Sequence, residues 1–294
     1  MKKPWAIPAA MVVFVSVLAG NESLLSPSGV RVELLYRALA PGEVVLVVLR
    51  DIGGIRGAEV TLLNKNFTLK QVGNRQKSIA FVGLDLGLAP GKYPLLISFE
   101  KEGGHREEIR KEMLVTRKEF PVKKIRVKTD YVTPPPEAQE RIAREARLLE
   151  DVYSLPSPHW LGDGNFVVPN RGRASPNFGE RRIYNNVPRS SHSGVDVSAP
   201  MGASVKASNS GKIVLASDLY FSGKTVIIDH GLGVFSYYCH LSRLSVKREA
   251  MVKKGDIIGL AGSTGRSTGP HLHWGFRVFE SRVDPFSLLS LPID

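Results

Sequence analysis

Cysteine is almost absent from this chain. One thiol, Cys239, occurs in 294 residues, which excludes an intramolecular disulfide and any metal site built from several cysteines. There is no internal repeat and no low-complexity tract. No apolar run reaches the roughly 20 residues that a membrane-spanning helix needs. RNP, zinc-finger and helix-turn-helix signatures are missing, so the net charge of +12 attracts polyanions in general and gives no reason to expect a nucleic-acid partner. Histidine is scarce as well. Of seven, His105 and His159 stand apart, and His192, His230, His240, His271 and His273 crowd into one stretch.

What is present begins with an export pattern. Lys2 and Lys3 precede a mostly apolar run from Trp5 to Gly20 that ends in Val17-Leu18-Ala19. A basic start, an apolar middle and small residues near a cleavage point read as a signal peptide over residues 1–20. The alternative is an uncleaved anchor or a short buried helix. Asn21 stands where a lipid-anchored protein carries cysteine. An exported protein of the periplasm, cell envelope or medium is expected, with no transmembrane span after cleavage.

The remainder reads as mainly β, in two parts. Over residues 24–117, short apolar runs such as Val30–Tyr36, Val44–Leu49 and Tyr93–Phe99 alternate with turn signals such as Ala40-Pro41-Gly42 and Ala89-Pro90-Gly91. Regularly spaced short strands suggest an immunoglobulin-like β-sandwich, read as a binding or spacing module. Residues 118–155 form an extended linker followed by a helix over Glu137–Tyr153, with Ile142, Ala146, Leu149 and Val152 at helical spacing. Residues 156–294 are Gly-rich with many short strands, a compact β domain with long loops.

The chemistry lies in that last part. In His192-Ser193-Gly194-Val195-Asp196 a spacing of four puts both side chains on one face of a strand. His271-Leu272-His273 does the same at a spacing of two, after a loop, Ser263–Pro270, that can shape a cleft. Tyr238-Cys239-His240 ends an apolar strand; alternation there puts Tyr238 with His240 and turns Cys239 away. Neutral imidazole and carboxylate are zinc donors, and a catalytic zinc site keeps one position for water. The HExxH pair of helical zinc proteases is absent. Taken singly, each of these pieces occurs by chance.

Together they resemble peptidase family M23, the lysostaphin/LytM group. The marks run from about Pro169 to Pro285: Phe178-Gly179-Glu180-Arg181, His192 to Asp196, Tyr238-Cys239-His240, Lys254-Gly255-Asp256, and Gly262-Ser263-Thr264-Gly265 through Gly269-Pro270-His271-Leu272-His273. The resemblance implies a LytM-type β-rich peptidase domain and one Zn2+ per chain, held by His192, Asp196 and His273. It implies His240 and His271 as the catalytic pair, with His271 the choice for general base and the division of roles between them open. It also implies a peptidoglycan peptide as substrate, cut in a stem peptide or a cross-bridge. Two other functions compete: a catalytically silent regulator of other wall hydrolases, and a secreted protease acting on ordinary proteins. Tyr238 either orients substrate or packs. Arg181 and Arg182 either meet a substrate carboxylate or brace a loop. The stretch Phe120–Pro136 is a candidate strap that keeps the groove latent. Oligomeric state has no signal in the sequence.

Overall fold

A computed structural model describes residues 20–50, 53–73 and 77–293. The export segment lies outside the described residues except at Gly20. No helix among them is long and apolar enough to cross a membrane.

The N-terminal part is an antiparallel sandwich of two sheets. One runs Gly20–Leu25, Arg31–Tyr36, Val44–Arg50, Lys77–Gly83, Lys70–Val72; the other runs Lys65–Thr68, Ile55–Leu62, Gly91–Lys101, Arg106–Val115. The first strand starts four residues ahead of the expected domain start at 24. Asn21-Glu22-Ser23 is polar and shows no apolar face. It is held by edge pairing with Arg31–Tyr36 and by ion pairing of Glu22 with Lys111 at 2.6 Å. The short strands 65–68 and 70–72 were also not expected.

The run Val44-Val45-Leu46-Val47-Val48-Leu49 is apolar without alternation, which is the pattern of a strand covered on both faces. Val45, Val47 and Leu49 face the second sheet with Val32, Leu34, Ala80 and Val82. Leu46 and Val48 share a core with Ile79, Phe81 and the buried side chains of the C-terminal domain. The module is therefore packed directly onto that domain. Arg37 bridges Glu43 and Asp284, at 2.6 Å to each. Arg282 grips Asp85 through Nη2 at 2.7 Å and Nε at 3.1 Å. The backbone N–H of Val44 donates to Ser287 Oγ at 2.8 Å.

The C-terminal domain is built on a seven-stranded antiparallel sheet. Its order is Gly194–Val197, Leu272–Val278, Val234–Leu241, Gly223–Asp229, Gly211–Leu219, Met251–Val252, with Ser281–Val283 pairing beside Leu272–Val278. One face carries Val195, Leu272, Trp274, Phe276 and Tyr238 into the main core. The other carries Phe235, Tyr237, Cys239, Ile227 and Leu219, and receives Val152 and Tyr153 of the helix Pro136–Ser154. Pro136 opens that helix where no N–H partner is needed. Of the expected stripe, Leu149 and Val152 pack on the sheet, joined by Leu148 and Tyr153, while Ala146 is exposed. Before the helix, Val122–Ile125 runs parallel to Arg181–Tyr184 and extends a small sheet completed by Val187–Ser191.

The interdomain carboxylates make the packing acid-sensitive. Burial pushes Glu43 and Asp85 up, but bonds from Arg37 and Arg282 outweigh it and hold both below the usual carboxylate range. A depressed folded-state pKa gives stability that is present above the unfolded value, near 4, and is lost as pH falls through the folded value. The urea midpoint is expected to drop below about pH 4. In a Glu43→Gln, Asp85→Asn double variant the protein should be less stable at pH 7 and its acid slope shallower. Urea titrations of both proteins from pH 7 to pH 2.5 check this, and identical slopes would contradict it.

Candidate metal centre and its groove

His192, Asp196 and His273 converge. His192 Nε2 lies 2.7 Å from His273 Nδ1 and 3.1 Å from Asp196 Oδ1, and His273 Nδ1 lies 3.2 Å from that oxygen. Sheet pairing produces the convergence: Asp196 and His273 are directly opposed on neighbouring strands. A tetrahedral zinc ion with bonds of about 2.1 Å needs donors about 3.4 Å apart. The triangle's edges are shorter by about 0.2 to 0.7 Å, and its two nitrogens and one oxygen are the donor types zinc takes, so the residues fit the ion. Gly194 makes room for the neighbouring strand and the His273 ring: a Cβ there would meet Trp274 O at 2.4 Å and His273 Cε1 at 3.0 Å.

Asn177 holds two of the three donors. Its carbonyl accepts from His192 Nδ1 at 3.0 Å, its Nδ2 donates to Asp196 Oδ2 at 2.8 Å, and its Oδ1 accepts the Asp196 N–H at 3.1 Å. A carbonyl only accepts, so Nδ1 of His192 carries the proton and Nε2 presents a bare lone pair to the site. Arg182 adds a bond to Asp196 Oδ2 at 2.8 Å. Burial pushes the Asp196 carboxyl up, but the His192 and His273 rings beside it outweigh that and hold it far below its usual range.

His240 and His271 stand beside the triangle with ring centroids 4.9 Å apart. His240 Nδ1 donates to Thr264 O at 2.8 Å, and His271 Nδ1 to Gly269 O at 2.8 Å. Both therefore also turn bare Nε2 atoms inward, that of His271 lying 3.6 Å from Asp196 Oδ1. Burial, reinforced by the neighbouring His273 and His271, lowers His240 to about 3. Burial likewise lowers His273 to about 4.

His240 reaches this position by breaking strand alternation. Its φ is +61°, and the register against Gly223–Asp229 slips between Lys224 and Val226. Two residues, Cys239 and His240, face one, Thr225, which is a β-bulge that re-aims the side chain. This corrects two expectations. Tyr238 lies on the opposite, core face, fully buried, its hydroxyl accepting from Ser208 N–H at 2.8 Å and bonded to Ser236 Oγ at 2.9 Å; it cannot touch anything bound at the centre. Cys239 lies opposite His273 in the ladder and lines the groove. Arg181 is exposed and outside the groove, because parallel pairing with Val122 turns it outward, while Arg182 points in. His230 is buried among Ser210, Ser236 and Phe276, away from the centre.

The groove is a cavity of about 230 Å³. Tyr237, Cys239, Thr225 and Ile227 line it along the sheet, Leu149 and Tyr153 of the helix border it, and Tyr184 and Phe221 belong to its rim. The sequence missed Asn177, Tyr237, Tyr184, Phe221 and Arg266. Asn177 immediately precedes the Phe178–Arg181 mark, and Arg266 lies inside the loop already expected to shape the cleft, so position alone hinted at both.

Asn177→Ala is expected to weaken zinc binding by about 10–100-fold, the usual cost of losing an outer-shell partner. Competition with a chromophoric chelator measures it; unchanged affinity would show that Asn177 does not orient the donors. Residues 190–285 match the profile of Peptidase family M23. The peptidoglycan DD-endopeptidase ShyA of Vibrio cholerae is 39% identical over 110 residues, 37% of this chain and 26% of that protein. The DD-carboxypeptidase/endopeptidase Mpg of Neisseria meningitidis is 44% identical over 97 residues, 33% of this chain and 22% of that protein. The match thus spans about a quarter of the length of these curated relatives. A solved structure from Pseudomonas aeruginosa, assigned to peptidase M23, aligns with a TM-score of 0.65 at 30% identity, covering 86% of this chain and 95% of that one. With the donor triangle, the mainly β fold and a likeness over nearly the whole of that structure, the chain belongs to peptidase family M23.

Proposed function

We propose that the chain is a zinc-dependent endopeptidase that hydrolyses amide bonds in the stem peptides or cross-bridges of peptidoglycan, working in the periplasm or elsewhere in the cell envelope. One observation carries the reading: three donors of zinc-binding type converge beside two further histidines with inward, unprotonated Nε2 atoms. The substrate class is supported by the Vibrio and Neisseria relatives, whose names state that chemistry.

Bound zinc would supply Lewis acidity toward a scissile carbonyl and lower the pKa of a water molecule toward neutrality. His192, Asp196 and His273 hold the ion. His271 takes the proton from the attacking water at Nε2 and returns it to the leaving amine. His240, neutral and protonated at Nδ1, offers Nε2 only as an acceptor. It therefore orients the water; it cannot donate to an oxyanion in that state.

The stretch before the helix supports a second element of the reading, latency. Tyr220 donates its hydroxyl to Asp130 O at 3.0 Å, and Tyr131 meets the Tyr220 ring at 5.6 Å. Arg189 donates to Val132 O. Tyr220 adjoins the lining residues Leu219 and Phe221, and Arg189 adjoins Ser190. The 3-10 turn Thr129–Tyr131 is thus tied beside both segments and restrains entry to the groove.

Purified wall incubated with the zinc-loaded full chain should release peptides with new amino and carboxyl ends by mass spectrometry, and a chelator should stop it. Intact wall would leave the silent regulator; cleavage of casein but not wall would leave the general protease. His271→Ala should keep zinc and lose hydrolysis by about 100-fold or more; retained hydrolysis refutes its role. Tyr131→Ala should raise the wall-hydrolysis rate severalfold, and an unchanged rate removes the latency element.

A further inference from the structure

The groove is lined by three guanidinium groups, Arg182, Arg266 and Arg277, and by no carboxylate among the described residues. Arg182 is satisfied, since it bonds Asp196 at 2.8 Å and Glu180 at 3.2 Å. Arg277 lies over the Tyr153 ring at 4.3 Å, next to the helix. Arg266 is different. It makes no ion pair among the described residues, and the cations acting on it are Arg189 and Arg182.

Arg266 is nonetheless fixed. Its guanidinium carbon lies 4.8 Å from the centre of the Tyr184 ring and 4.7 Å from that of Phe221. These rings belong to different segments, the strand carrying Arg182 and the turn after Leu219. The Arg266 backbone N–H donates to Phe221 O at 2.7 Å. The loop seats tightly on that turn: a Cβ on Gly265 would lie 2.3 Å from Gly223 N, and one on Gly223 would lie 2.3 Å from Thr264 Oγ1. Contacts with ring faces do not use the in-plane N–H donors of a guanidinium. A partly desolvated cation beside other cations, with those donors open, is poised for a bidentate anion. The same loop provides Thr264 O for His240 and Gly269 O for His271, so the anion would sit close to the reacting bond.

We propose that Arg266 anchors a carboxylate subsite, so that the groove selects stem peptides bearing a free carboxylate over neutral bridges of the polyglycine kind. This rests on the reading of the groove as a wall-peptide site. The test uses the zinc-loaded full chain and two probes: a purified cross-linked stem-peptide dimer with free carboxylates, and the same dimer with those carboxylates converted to amides. Binding is measured by calorimetry in a His271→Ala background to prevent turnover, and hydrolysis with His271 intact.

The free-carboxylate dimer should bind about tenfold tighter or better, as expected for charge-assisted hydrogen bonds. Arg266→Gln should abolish most of that difference, weakening the free-carboxylate dimer much more than the amidated one. Arg266→Lys should retain part of it, which separates loss of charge from loss of fold. Equal binding of the two dimers, or an Arg266→Gln loss shared equally by both, overturns the subsite. Preference in binding without hydrolysis would leave the subsite standing and sink the hydrolase reading. Hydrolysis of both dimers at one rate would do the reverse.

Discussion

The centre depends on one kind of bond, imidazole N–H to backbone carbonyl. Asn177, Thr264 and Gly269 each offer a carbonyl to the Nδ1 of a different histidine. Because a carbonyl cannot donate, the proton position of all three rings is settled by the fold, before any ion or substrate arrives. His273 is oriented the other way, with Nδ1 inward and Asp196 as its partner. Five side chains from distant parts of the sequence converge on one small volume, and three of the four rings have their Nδ1 proton drawn away to a backbone carbonyl.

The second requirement is a sheet stiff enough to hold that arrangement. His273 lies on Leu272–Val278, whose far half pairs with Ser281–Val283. That short strand is gripped from the sandwich side by Asp85 on Arg282, and Ser281 Oγ donates to Gly83 O at 3.0 Å. The N-terminal module is thus mechanically continuous with the strand that carries His273, which adds to the binding or spacing role read from its sequence. The two-sided burial of Val44–Leu49 is the price of that continuity.

Much of this was legible in the sequence. The sandwich, the helix and the β-rich domain follow from periodicity and turn chemistry. The HxxxD and HxH spacings place each pair on one strand face, while the choice of His192, Asp196 and His273 as the donor set comes from the family resemblance; strand register then brings Asp196 opposite His273. Tyr238 and Cys239 were assigned to the wrong faces because strict alternation fails at a bulge, and nothing local in Tyr238-Cys239-His240 announces a non-glycine residue at positive φ. Arg181 and Arg182 were not separable for a similar reason: which of two adjacent side chains points inward depends on the pairing of Arg181 with Val122, far away in the chain. Asn177 escaped because much of its role is played by backbone and amide atoms common to many residues. The strand at Gly20–Leu25 escaped because an edge strand is held by its ladder and needs no apolar face.

Cys239, opposite His273 at the base of the groove, has a consequence for the chemistry of the ion. A thiolate there would be a soft, strongly binding donor within reach of a site built from nitrogen and oxygen, and a target for oxidants. Burial pushes its thiol up to about 12. At neutral pH the sulfur therefore stays protonated, poor both as a competing ligand and as a nucleophile toward peroxide. The lone thiol of the chain can thus line the groove without poisoning the centre.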